Sequence, residues 1–513
     1  YRSSEAFAVA EGKTETVRFG FDVPQAYDVL VCKIVASAGE YSDGEQHYLP
    51  VLTDKQWVTE TIPVQLNGEE TKTVQTDKLF NGQSQTATDR RLTVELTANP
   101  DWYAVQALPA MSNPQTEDAS AWASAYYANV LAKRIVDANP RIKQVFETWK
   151  SQGGDKETLQ SNLQRNQDLK NLLLKETPWL TDAADETEQK QRIAVLFDLN
   201  TMPNRLQTAV KKLAALQNAD GSWSWYKGMT GSRFVTTQVV EMLARLKGMN
   251  ASLDGNVYAM YNKALAYLSE EANAEYQRDL KDTPQSSYVS EQIIHYLYIC
   301  AIDSTARQKA TAKVNTYFIE KLMNRSADYT IYGKALMAIV MQGANKSAQA
   351  DELVRSVKEY SVATEDMGRY FDTDKAYYSW RNYKIPTQVA AMEAIHRIAP
   401  DEKMLNEMKH WLLKQKQVQA WESSVATADA VYAFLCMNGN KLDATGQMKA
   451  QWGKVSIQTP HDALGYTSRT LTGADAKVKQ INVSKVGKGM GWGAVYAQCQ
   501  EDMDKLSAFN GKG

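Results

Sequence analysis

The chain has 513 residues, 58 of them basic and 60 acidic, for a formal net charge of -2. That balance excludes the large basic footprint of a general nucleic-acid binder and offers no long-range field to steer charged substrates. No apolar run is long enough to span a bilayer, and 4 Cys with 5 His leave little material for a metal site, so no cofactor is expected.

The chain opens Tyr1-Arg2-Ser3-Ser4 without Met, as a fragment or processed form would. The absence of a secretory signal therefore says nothing about compartment. Cys32, Cys300, Cys436 and Cys499 form no C-x-x-C pair and read as free buried thiols.

Residues 1 to about 105 read as strands. Thr16 to Val23 alternates polar and apolar side chains, Val29 to Ala36 is a short apolar run, and Leu92 to Thr97 alternates again. Turns are expected at Leu66-Asn67-Gly68 and Phe80-Asn81-Gly82. After Pro109 the apolar spacing becomes helical. Helices are expected at about 119–139, 140–150, 156–175, 186–198, 203–217, 232–248, 255–271 and 286–301. More are expected at about 304–322, 328–342, 346–361, 385–398, 401–416, 424–437 and 441–451. Helices of similar length joined by short loops predict a solenoid or a closed ring of hairpins. From about 453 alternation returns, in Lys454 to Thr459 and Lys477 to Val483, and Gly487, Gly489 and Gly491 punctuate the run before Ala494 to Ala497. Sixty residues of strand make little core alone. The expectation is that they complete the N-terminal β domain, with the helices inserted between two of its strands.

Two echoes specify the helical array. Gln217-Asn218-Ala219-Asp220-Gly221-Ser222-Trp223 and Gln415-Lys416-Gln417-Val418-Gln419-Ala420-Trp421 each place Trp six residues after Gln, ahead of a helix. Those helices carry Thr236-Thr237-Gln238 and Thr427-Ala428-Asp429, and Pro386-Thr387-Gln388 resembles a third helix start. Gly221 would supply an unusual backbone angle, and the Trp would plug the gap between hairpins. This loop-and-helix unit resembles the repeat of α/α toroids, which include terpenoid cyclases, protein prenyltransferases and the thioester domain of α2-macroglobulins. Cyclase acids are not matched, since Asp372-Thr373-Asp374 runs into Lys375. His295 and Cys300 suggest no third zinc ligand by spacing, and His396, His410 and His461 stand apart. Glycosidase carboxylate pairs have no motif here, although 60 acids always offer pairs.

The flanks resemble bacterial α2-macroglobulins over nearly the whole chain. The carriers are Ser42 to Leu52, Val58 to Pro63, Asn99 to Pro109 (resembling the strand leading into the thioester domain), Tyr126 to Ala132, Thr177-Pro178-Trp179, Leu216 to Trp225 and Gly489 to Gln498. The resemblance implies an α+β multidomain fold, an α/α toroid inserted in a complement-like β-sandwich. It implies residues 1–53 as strands ending a preceding macroglobulin-like domain, 54–105 as the first part of the sandwich, 106–452 as the toroid and 453–513 as the returning strands. In relatives a Cys and a Gln three residues apart form the thioester. An ungapped placement on Tyr126-Tyr127-Ala128-Asn129 puts these positions at Asp118 and Ala121, so this chain resembles the thioester-lacking branch. Gly44-Glu45-Gln46, with Asp43 at the thiol position, is read as a turn.

The function the resemblance implies is a non-enzymatic, non-covalent protease inhibitor or trap. It would act in bacterial defence from the cell envelope, periplasmic or surface-exposed, as a lipid-anchored lipoprotein when full length. Its partners would be target proteases and other domains of the same chain. Candidate interaction or toroid-mouth aromatics are Trp223, Trp225, Tyr226, Tyr370, Phe371, Tyr377, Tyr378 and Trp380; wedge packing between hairpins is the competing reading. A toroid enzyme acting on a carbohydrate or isoprenoid, marked by paired carboxylates converging beside aromatics, is the alternative class, and a structural envelope module the third.

Overall fold

The computed structural model describes residues 3–23, 29–50, 55–76, 79, 87–99, 102–114, 116–138, 196, 201–282, 286, 288–323, 329–364, 367–372, 383–416, 421, 423–436, 446–460, 465–487 and 490–502. β1 (Val29–Ala38) and β2 (Tyr41–Pro50) form an antiparallel hairpin that turns at Gly39, whose φ is +61°. The Gly44-Glu45-Gln46 run lies inside β2, not in a turn, because it pairs with Val35, Ile34 and Lys33. Thr16 to Val23 corrects a second expectation. It forms no strand, and Phe19, Phe21 and Val23 are exposed, so the alternating apolar side chains cover no core.

β3 (Lys55–Asn67), β4 (Glu70–Gln75) and β5 (Thr88–Thr97) follow. Then come α1 (Trp102–Ser112), α2 (Ala119–Ala138), α3 (Met202–Leu216), α4 (Arg233–Gly248), α5 (Gly255–Asp282), α6 (Glu291–Ile302), the short α7 (Ser304–Lys309), α8 (Ala312–Leu322), α9 (Ile331–Gly343) and α10 (Ser347–Glu359). A small hairpin, β6 (Val362–Thr364) and β7 (Gly368–Tyr370), precedes α11 (Lys384–Ile398), α12 (Glu402–Gln415) and α13 (Ser424–Cys436). β8 (Gln447–Trp452), β9 (Val455–Gln458), β10 (Tyr466–Thr472), β11 (Gln480–Val486) and β12 (Met490–Asp502) close the chain.

Three expectations shift. The segment expected as a strand leading into the helices becomes α1, because Ala104, Val105, Ala107, Leu108 and Met111 bury one face at helical spacing. Residues 447–451, expected as the end of a helix at 441–451, lie in β8. Met448, Ala450 and Trp452 alternate into a sheet core there, and the period of two prevails. The single helix expected at 304–322 divides into α7 and α8, since Asp303 caps the first and Thr311 begins the second. The helices expected at 140–150, 156–175 and 186–198 lie outside the described residues, apart from the helical, buried Leu196.

The strands from both ends of the chain meet. One sheet runs β10-β5-β12-β3 and the other β4-β11-β8-β9, all pairs antiparallel. Val64, Leu66, Leu92, Val94, Leu96 and Val495 from the first sheet pack on Val74, Met448, Ala450, Ile481 and Val483 from the second. The helical region enters after β5 and leaves before β8, so it is an insertion in a β-sandwich.

The helices sort into two layers. α2, α4, α6, α9, α11 and α13 each pack on the next, and α13 returns to α2, closing a ring. These six are buried almost all round, as helices enclosed by neighbours must be. α3, α5, α8 and α10 bury only one stripe and lie outside the ring. The adjacent inner helices α4 and α6 run the same way: Glu241 meets His295, and one turn on Arg245 meets Tyr298.

α12 is the exception among outer helices, buried on more of its surface because the sandwich covers it. Trp492 and Tyr466 of the first sheet belong to the core of the ring, and the Trp492 ring meets His410 edge-on at 6.2 Å. β12 therefore buries both faces, with Val495 and Ala497 toward the sandwich core and Trp492 toward the helices. No helix among the described residues is long and apolar enough to cross a membrane.

Candidate functional site

The two Trp echoes are one structural unit used twice. Trp223 Nε1 donates to the Leu213 carbonyl at 3.0 Å and Trp421 Nε1 to the Leu412 carbonyl at 2.8 Å, each on the preceding outer helix. The backbone N–H of Trp223 donates to Thr236 Oγ1, and that of Trp421 to Thr427 Oγ1, each on the following inner helix. Gln217 Nε2 ties the first loop to the Gly221 and Met260 carbonyls. Gly221 sits at φ +91°, and a Cβ there would lie 2.5 Å from the Lys263 carbonyl oxygen. At the third helix start Gln388 Nε2 donates to the Arg369 and Met408 carbonyls, so a glutamine again stitches an inner helix to its neighbours.

With 0% and 3% exposure, Trp223 and Trp421 are wedges between hairpins, and Trp223 offers nothing to a partner. Trp225 and Tyr226 are 43% and 54% exposed, with Trp225 tilted against Phe234 at 5.9 Å. Tyr370 and Phe371 are half-buried, and Tyr370 stacks on Trp411 at 6.4 Å. Tyr377, Tyr378 and Trp380 lie outside the described residues.

Asp118 and Ala121 are brought together by helix capping. Asp118 Oδ1 accepts from the Ala121 backbone N–H at 2.8 Å, and its carbonyl accepts from Trp122. Thr116 Oγ1 donates to the other carboxylate oxygen at 2.5 Å. This satisfies an otherwise orphaned amide at the start of α2.

The ring axis holds the densest chemistry in the described residues. Arg245 of α4 donates Nη1 to Asp429 of α13, places Nη2 2.7 Å from Glu241 Oε1, and donates Nε to Tyr298 Oη at 3.2 Å. Its Nη2 is also 3.8 Å from Glu393 Oε2. Glu393 of α11, with no exposed side-chain surface, accepts from Tyr298 Oη at 2.7 Å, Tyr432 Oη at 2.8 Å and Arg397 Nε at 2.8 Å. His295 Nε2 lies 2.7 Å from Glu241 Oε2, and the His295 ring meets Tyr332 edge-on. The Arg245 guanidinium stacks over the Tyr432 ring at 4.3 Å.

Electrostatics separate these acids. Burial opposes the charged form of Glu241, but Arg245 and His295 outweigh it and hold that carboxyl at about 2. Burial pushes the Asp429 carboxyl up to about 6, with the like charge of Glu241 adding and Arg245 opposing. Burial alone would lower Arg245, yet Glu241, Tyr298, Asp429 and Glu393 together hold it well above its ordinary value.

Spacing along the chain pointed to none of this. The available signal was charge in the wrong place: Glu241 and Arg245, and Glu393 and Arg397, are i,i+4 pairs in otherwise apolar helices. Cys300 and His295 do not share a site. Cys300 is buried, and burial pushes its thiol up to about 11, while His295 turns to Glu241. No group of three His, Cys, Asp or Glu among the described residues is arranged to hold a metal ion.

No protein-family model and no curated protein matches the sequence. Similar solved structures do exist. The crystal structure of native alpha-2-macroglobulin from Escherichia coli, from domain MG7 to the C-terminus, is 14% identical, with a TM-score of 0.45. This chain is similar to bacterial alpha-2-macroglobulins. That first likeness covers 92% of this chain and 63% of that one. The native conformation of the E. coli protein by cryo-electron microscopy matches at 14% identity and TM-score 0.46, over 94% of this chain and 26% of that one. Salmonella alpha-2-macroglobulin reacted with methylamine matches at 11% and 0.45, over 89% and 25%. The chain thus spans under two thirds of the first of these structures and about a quarter of the other two.

Proposed function

We propose that this chain is part of a bacterial α2-macroglobulin-like protease inhibitor of the cell envelope, one that encloses its target without a covalent bond. One observation carries the non-covalent reading. Where the sequence resemblance calls for a thioester Cys, Asp118 caps α2, and the amide it caps belongs to Ala121, at the position of the required Gln. A carboxylate and a methyl group cannot form a thioester. In this reading the chain is not an enzyme. The domain bounds proposed with it are 1–53, 54–105, 106–452 and 453–513, adjusted so that α1, which packs on α2 and α13, joins the helical region and β8 the sandwich. Trp225 and Tyr226, with Tyr370, Phe371, Tyr377, Tyr378 and Trp380, are the aromatics that would meet neighbouring domains or the protease. Periplasmic or surface location and a lipid anchor on the full-length protein belong to the same proposal.

The enzyme reading required carboxylates converging inside the ring. Glu241, Glu393 and Asp429 do converge, but on Arg245, Arg397, His295 and two tyrosine hydroxyls. Carboxylates committed to internal partners do not form an acid–base pair facing a substrate. The deciding experiment incubates the full-length protein with an active protease and separates the products under denaturing conditions. The expected result is a complex in native separation that dissociates on denaturation. A denaturation-resistant adduct on this chain overturns the proposal.

A further inference from the structure

We draw no further inference here: the strongest candidate, the exposed apolar face that Val31, Val35 and Tyr48 form on the β1–β2 hairpin, carries none, because nothing in the structure shows what covers it and a preceding domain at that place only restates what the sequence resemblance implies for residues 1–53.

Discussion

Replacing Arg245 with Met removes the hub of the axial network while keeping a side chain of similar length. Asp429 loses its ion pair, Glu241 keeps only His295, and Glu393 keeps Arg397 and the two tyrosines. Breaking a buried pair by deleting one partner costs about 3–5 kcal/mol, because the other charge stays buried and uncompensated. The Arg245 side chain is 5% exposed and Asp429 11%, so solvent screening does little to reduce this. Against a typical total of about 5–15 kcal/mol the loss is large. At about 2–4 °C per kcal/mol it lowers the melting temperature by roughly 10 °C. The assay is urea and thermal unfolding followed by far-UV circular dichroism, which reports the helices. Arg245→Met with Asp429→Leu should recover most of the loss, since an apolar pair needs no compensation. A single variant within 1 kcal/mol of wild type, or a double variant worse than the single, refutes the account.

Other substitutions separate packing from exposure. Trp223→Ala and Trp421→Ala should each cost about 3–5 kcal/mol in chemical unfolding, from lost burial and a residual cavity. Trp225→Ala, at 43% exposure, should stay within about 0.5 kcal/mol. Gly221→Ala combines a left-handed backbone with a Cβ 2.5 Å from the Lys263 carbonyl. It should cost clearly more than Gly228→Ala, whose φ is +87° but whose Cβ would meet nothing within 4 Å. Paired unfolding curves would show the difference. Asp118→Ala deletes the cap of α2 and should cost about 1 kcal/mol, read as faster hydrogen exchange in the first turn of that helix.

Much of the architecture was legible in the chain because it depends on local periodicity. The helical spacing at 232–248, 385–398 and 401–416 lies close to α4, α11 and α12, and the Gln…Trp loops marked where inner helices begin. The errors fell where periodicity competes with environment. Residues 447–452 are short enough to read either way, and only a place beside β11 and β9 makes them a strand. Thr16 to Val23 has a strand's pattern but leaves Phe19, Phe21 and Val23 exposed and forms no strand. The site was hidden for a different reason. Glu241, His295, Glu393 and Asp429 lie 54, 98 and 36 residues apart along the chain, and no spacing rule joins them.

The sequence by itself determined the order of strand, helix and strand and the insertion of one in the other. These depend on residue identity and neighbours within a few turns. Tertiary structure alone decided which charged side chains point inward, because ring closure sets α4, α6, α11 and α13 around a common axis. It also decided that Trp223 is a wedge and Trp225 a surface group, although only one residue separates them. A side chain's burial depends on what folds over it, and here that cover comes from helices remote in the chain.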